Sequence, residues 1–209
     1  MVLTRRQYVQ YAGGAGGVLI SGVAGCAGAG PDETPPADAD GDDTNETRPA
    51  GTGGPGISLT ATDETTDLSI QPVVEVVRET ATAEHPPQLR TQLTNTSDES
   101  VTVGEGRAVH FEYVSDDDGI LTLLPEGGNN LAASDCWRLT DTIVTTEEYR
   151  TVEIGPGETS SRLVDLYATV DADGCLPVGA YRFETQITVR TDGGESESSA
   201  TWGFSVTLE

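Results

Sequence analysis

The chain has 209 residues, 35 of them acidic and 11 basic, for a formal charge of −24, and every basic residue is arginine. No basic cluster follows Arg6, which removes the patch that phosphate contacts require and argues against a nucleic-acid partner. So negative a surface repels itself in dilute salt and is relieved in molar salt, where the Debye length falls to about 3 Å.

The first 25 residues have the layout of an export signal: a charged start, an apolar middle and small residues at the cut. Arg5 and Arg6 stand side by side, and no acidic residue precedes Asp32. From Tyr11 to Val23 about half the residues are glycine or alanine, too short and too weakly apolar for a membrane span of about 20 residues. Thr4-Arg5-Arg6-Gln7-Tyr8-Val9 resembles the twin-arginine signal, and Val23-Ala24-Gly25-Cys26 resembles a lipobox. The resemblance implies cleavage before Cys26, a lipid on its thiol, and a chain held by lipid on the outer face of the cytoplasmic membrane. Acid excess, absent lysine and this type of signal together resemble secreted proteins of halophilic archaea.

Residues 26–56 follow as the lipidated cysteine and a tether rich in proline, glycine, threonine and acid, with no apolar periodicity. Such a segment buries too little apolar surface to offset its ordering entropy. A relaxed chain of this length spans roughly 30 Å. Asn45-Glu46-Thr47 and, further on, Asn95-Thr96-Ser97 are N-glycosylation sequons, so Asn45 and Asn95 are candidate acceptors.

From Ile57 to Glu209 the chain reads as one all-β domain. Short stretches rich in Val, Thr, Ile, Leu and Tyr recur at 72–83, 88–97, 100–106, 107–115, 119–127, 149–160, 161–170, 179–190 and 199–209. Leu89, Thr91 and Leu93 alternate with Arg90 and Gln92; Phe183, Thr185, Ile187 and Val189 alternate with Glu184, Gln186, Thr188 and Arg190. Alternation of period two predicts half-buried strands. Asp118-Gly119, Gly155-Pro156-Gly157, Asp173-Gly174 and Gly193-Gly194 predict the turns. The longest stretch compatible with a helix is Ser134–Thr142. The sum is an antiparallel β-sandwich.

Three pieces carry a family resemblance: "LRTQLTNTSDESVTV", "VEIGPGETSSRLVDL" and "LPVGAYRFETQITV". Their order is similar to immunoglobulin-like domains of the intracellular proteinase inhibitor family. The resemblance implies an immunoglobulin-like sandwich over roughly residues 87–190, with the Tyr181 hydroxyl seated in a corner at the entry of its strand. No inhibitory loop residue matches, and none is carried over.

With Cys26 taken by lipid, Cys136 and Cys175 remain. Two cysteines in an exported domain predict one disulfide, here a staple between loops. A copper site needs two histidines, a cysteine and a weak axial ligand. His85 and His110 are the only histidines and Met1 the only methionine, and neither histidine lies close in sequence to a cysteine. The acidic alternations at Asp38, Asp116 and Asp171 lack the glycine and glutamate of a calcium loop. No nucleophile elbow, zinc-protease or phosphate-loop motif appears. His85 precedes Pro86-Pro87 in an exposed loop. His110 is expected on a strand, sharing the solvated face with Ala108 and Glu112 while Val109 and Phe111 face the core. No catalytic residue, metal or cofactor is therefore assigned. The expected role is a surface-anchored module that binds a protein or glycan partner without catalysis. An extracellular protease inhibitor and an enzyme with an unrecognised site are the alternatives.

Overall fold

Period-two alternation becomes strand wherever the backbone stays extended. The computed structural model describes residues 55–64, 66–128, 130–133, 136–144, 148–191 and 197–209, all within the unit Asp43–Glu209. Arg5, Arg6, Cys26 and Asn45, with the expected signal peptide and nearly all of the expected tether, lie outside the described residues. Nine strands occur among those described: β1 Ile57–Thr62, β2 Ile70–Arg78, β3 Gln88–Asn95, β4 Val101–Gly104, β5 Leu121–Pro125, β6 Thr151–Ile154, β7 Thr159–Ala168, β8 Gly179–Thr191 and β9 Glu197–Leu208. They form two antiparallel sheets packed as a sandwich, one ordered β1-β9-β8-β4-β6 and the other β2-β3-β7-β5.

The core fills the space between the sheets. Leu89, Leu93, Leu121, Leu123, Val164 and Leu166 come from the four-stranded sheet and meet Val101, Val103, Phe183, Ile187, Val189 and Phe204 from the other. In β8 the expected alternation holds: Phe183, Thr185, Ile187 and Val189 are buried, while Glu184, Gln186 and Arg190 are exposed. An aromatic cluster closes one part of the core, with Phe111 edge-on to Phe204 at 5.1 Å and to Trp202 at 5.8 Å. The predicted turns at Gly119, Gly157 and Gly174 all carry positive φ. At Gly157 this lets the N–H reach Asn95 O at 3.1 Å, a conformation that residues with a Cβ resist. Gly193-Gly194 lies outside the described residues.

Tyr181 opens β8 and donates its hydroxyl to Pro177 O at 2.9 Å, tying the strand to the loop before it. The β1 strand was not marked by alternation. It pairs with β9, and Gly56 exchanges backbone hydrogen bonds of 2.7 and 2.9 Å with Glu209.

Three expectations are corrected. Residues 107–115 do not form a strand. Ala108, Val109, His110 and Phe111 are all buried in succession, which an alternating strand cannot achieve with one face open to water. The chain instead turns left-handed at His110, Phe111 and Tyr113, with φ of 72, 60 and 67°. The stretch Ser134–Thr142 holds no helix among its described residues. Trp137 has a φ of 54°, and Arg138 and Leu139 make isolated bridges to Ala168 and Ala132.

The third correction is Asn95, the second candidate glycosylation site. Its side chain is fully buried. Nδ2 donates to the carbonyls of Glu99, Ile154 and Gly155 at 2.7, 3.0 and 3.1 Å, and Oδ1 accepts from Ser97 N and Oγ at 2.9 and 2.7 Å. A glycan would replace one of the two Nδ2 hydrogens and force a sugar among these buried carbonyls, so the sequon is a turn that clamps β3–β4 to β6–β7. Asn95→Ala is expected to cost about 3 kcal/mol, because it orphans several buried groups at once. Chemical denaturation measures the loss, and mass spectrometry of natively exported protein should find Asn95 unmodified.

Candidate functional site

The chemistry-bearing residues collect in two neighbouring places, one within the loop between β4 and β5 and one where that loop meets the segment between β5 and β6. The first is a buried polar seam. Glu105 follows β4 directly and is 1 % exposed. Its Oε1 and Oε2 accept from the backbone N–H groups of His110 and Phe111 at 3.0 and 2.9 Å. These bonds take the place of a neighbouring strand. They hold the left-handed turn that drives Phe111 into the aromatic cluster. Burial pushes the Glu105 carboxyl up to about 7, against the opposing pull of the two N–H donors, with Glu112 adding to the rise.

His110 is therefore not on a solvated face. It is 2 % exposed and wedged between the sheets. Thr91 Oγ1 lies 3.2 Å from both the His110 carbonyl and Nδ1, and Ser160 Oγ lies 2.8 Å from Nε2. Thr91 Oγ1 and Ser160 Oγ thus each bond one ring nitrogen, and the tautomer sets which partner donates in each bond. A serine on a histidine nitrogen resembles a nucleophile with its base. Here, however, the orienting partner is a threonine hydroxyl, and burial together with the Arg162 charge lowers the imidazole to about 4. That makes a weak base at neutral pH. The seam fixes the loop.

The second place is the outer face of the four-stranded sheet. Between β5 and β6 the chain makes a long excursion over this face, and the Cys136–Cys175 disulfide pins it to the β7–β8 loop, with Cα atoms 4.6 Å apart. Both predicted cysteines are thus brought together, as a staple between loops. Beneath it lies a second small core of Leu124, Leu139 and Tyr167, packed with Trp137, Ile143 and Val170. Trp137 stands edge-on to Tyr167 at 6.1 Å and donates Nε1–H to Thr82 O at 2.7 Å.

Beside this small core opens a cleft of about 270 Å³. Arg107, Tyr113, Thr122, Leu139, Asp141 and Thr142 are among the residues that line it. Tyr113 is 36 % exposed and is one of the left-handed residues that Glu105 sets in place. Strain of this kind gathers at ligand clamps and switch regions.

His85 sits in an exposed loop, as expected, with its carbonyl taken by Thr82 N at 2.8 Å. Asp116 spends its carboxylate on the N–H groups of Leu121 and Asp118 at 2.6 and 3.1 Å, as a turn residue. Among the described residues no group of three or more His, Cys, Asp and Glu side chains is arranged to hold a metal ion. Sequence reasoning missed Glu105 and Tyr113. The glycines flanking Glu105 hinted at a break in β structure, but nothing local showed that its carboxylate would be buried on residues five and six positions ahead. No known family model matches the chain, and no curated protein is significantly similar to it in sequence.

Proposed function

We propose that the chain is an exported, lipid-anchored binding module of the cell surface of a halophilic archaeon, with an immunoglobulin-like sandwich held off the membrane by its acidic tether. The observation that carries this is the Cys136–Cys175 bridge. It uses both cysteines of the domain and fits an oxidising compartment. Cys26 is then the odd thiol, and it falls where a lipobox would place it.

Two further features support the immunoglobulin-like half of the proposal. The order β2-β3-β7-β5 beside β9-β8-β4 follows the A-B-E-D and G-F-C pattern of such domains when the strands are lettered along the chain. In that lettering β1 and β6 are additions at the two edges of one sheet. The Tyr181 hydroxyl on Pro177 O occupies the place of a tyrosine corner. The binding half draws on the disulfide-pinned cleft, a built concavity on an exposed face. We read the role as non-catalytic, which the burial of His110 and its weak basicity beside Ser160 support.

Cys26→Ser in the native host is expected to abolish lipid labelling and release the protein to the medium. Unchanged membrane retention with full labelling would overturn the anchor. Photo-crosslinkers placed around the cleft on cells should trap an envelope component, and the absence of any adduct removes the binding role.

A further inference from the structure

We propose that the cleft between Tyr113 and Asp141 takes a single pyranose ring, as the terminal sugar of a surface glycan. This deepens the binding-module reading above and rests on it. Three observations converge.

The first is size. A volume of about 270 Å³ falls just under the usual range for drug-sized ligands, enough for one ring and too small for a folded segment of another protein.

The second is chemistry. The exposed Tyr113 ring and the half-buried Ile143 provide apolar surface over the buried Leu124 and Leu139, while Asp141, Thr142 and Asp171 bring oxygens to the same space. A carboxylate only accepts hydrogen bonds, and a hydroxyl accepts two. The lining thus sets both donors, from Arg107 and the hydroxyls, and acceptors beside apolar carbons. A pyranose is its complement, with an apolar face of C–H groups and a rim of hydroxyls. Arg107 lines the same space and sets one guanidinium against the carboxylates of Asp141 and Asp171, while the formal charge of −24 disfavours anionic ligands at longer range.

The third is pre-organisation. The Tyr113 backbone is held left-handed by its own N–H to Leu123 O at 2.8 Å and by the Glu105 bonds just upstream. The opposite wall is pinned by the Cys136–Cys175 bridge and by Leu139 N on Ala168 O at 2.9 Å. A rim fixed on both sides loses little entropy when a ligand enters.

The test is saturation-transfer NMR on the purified exported protein with four probes: the methyl glycosides of glucose, mannose, galactose and N-acetylglucosamine. Lysine serves as a cationic competitor class. The expected result is transfer to at least one sugar, with the strongest signal on ring C–H protons. Tyr113→Gly removes the ring while easing the left-handed backbone, and Asp141→Asn removes a rim acceptor charge. Each is expected to weaken the responding sugar at least tenfold. If Tyr113→Gly perturbs the fold, the exposed Asp141 variant decides. No transfer to any of the four sugars overturns the proposal, as does transfer unchanged in Asp141→Asn, or a signal from lysine alone. Failure here leaves the binding-module reading to the cell-surface crosslinking, which makes no assumption about the ligand.

Discussion

Replacing Cys136 and Cys175 together by serine should lower the stability of the domain by about 4 kcal/mol, the chain-entropy value for a loop of this length. The two residues are 39 apart in sequence, so the bridge restrains a long stretch of the unfolded chain. The corresponding fall in melting temperature is on the order of 10 °C. The structure also locates the first damage. The excursion between β5 and β6 rests on a small satellite core, and its backbone is tied down at Leu139 N to Ala168 O and Thr140 N to Leu131 O, both at 2.9 Å. Without the staple this patch should open before the sandwich does, as the weakest cooperative unit. Hydrogen exchange at Leu139 and Thr140 should accelerate more than exchange in β8 and β9. A loss under about 1 kcal/mol with unchanged protection at those two amides would mean that the satellite core alone holds the excursion. Under the proposal of a sugar in the cleft, the same variant should also lose that binding, because Leu139 and Asp141 line it.

The second large effect is one of pH, and it is hidden in the unaltered protein. Glu105 is raised by burial from 4.5 to about 7. Its contribution to stability is fully present below 4.5 and is lost as pH rises through 7. His110 is lowered by burial, with help from Arg162, from 6.5 to about 4. Its contribution is present above 6.5 and is lost as pH falls through 4. Each shift corresponds to about 3 kcal/mol. Between pH 4.5 and 6.5 the two slopes have opposite sign and nearly cancel. Glu112 and Asp165, both raised by burial, tilt the balance modestly toward acid.

Single substitutions expose each slope. His110→Gln leaves Glu105 alone, so the variant should gain stability as pH falls from 7 to 5. Glu105→Gln leaves His110 alone, so that variant should lose stability over the same range, besides a constant cost from an amide that cannot accept well from two N–H groups. Denaturation at pH 5, 6 and 7 measures both. Parallel pH profiles for the two variants would show that these groups do not titrate in the window that their burial implies.

The two predictions meet in the loop after β4. Glu105 sets the left-handed turn, the turn places Phe111 in the core and Tyr113 at the rim, and the disulfide holds the facing wall. Damage to either support should therefore reach the cleft, although neither Glu105 nor Cys136 lines it.

Sequence by itself determined the class of the fold, because an extended strand with one dry face writes its burial into alternate residues. Leu89, Thr91 and Leu93 in β3, and Phe183 to Val189 in β8, show that pattern without ambiguity. Turn glycines with positive φ were legible for the same local reason, and cysteine parity foretold the Cys136–Cys175 bridge. What the sequence could not display is every feature fixed by a partner distant along the chain or by a bond from side chain to backbone. Residues 107–115 have strand-like composition, yet the Glu105 carboxylate takes the amides that a sheet would need, and His110 turns inward. Asn95 reads as an exposed sequon, yet its amide is consumed by carbonyls at 154 and 155, across a turn from another part of the chain. The excursion at 136–144 has helical spacing at best, and it follows instead the outer face of β5 and β7, where Leu139 and Trp137 find apolar cover. Local periodicity reports burial only while the backbone remains regular. Once buried polar groups bend it, the tertiary structure decides which side chains meet.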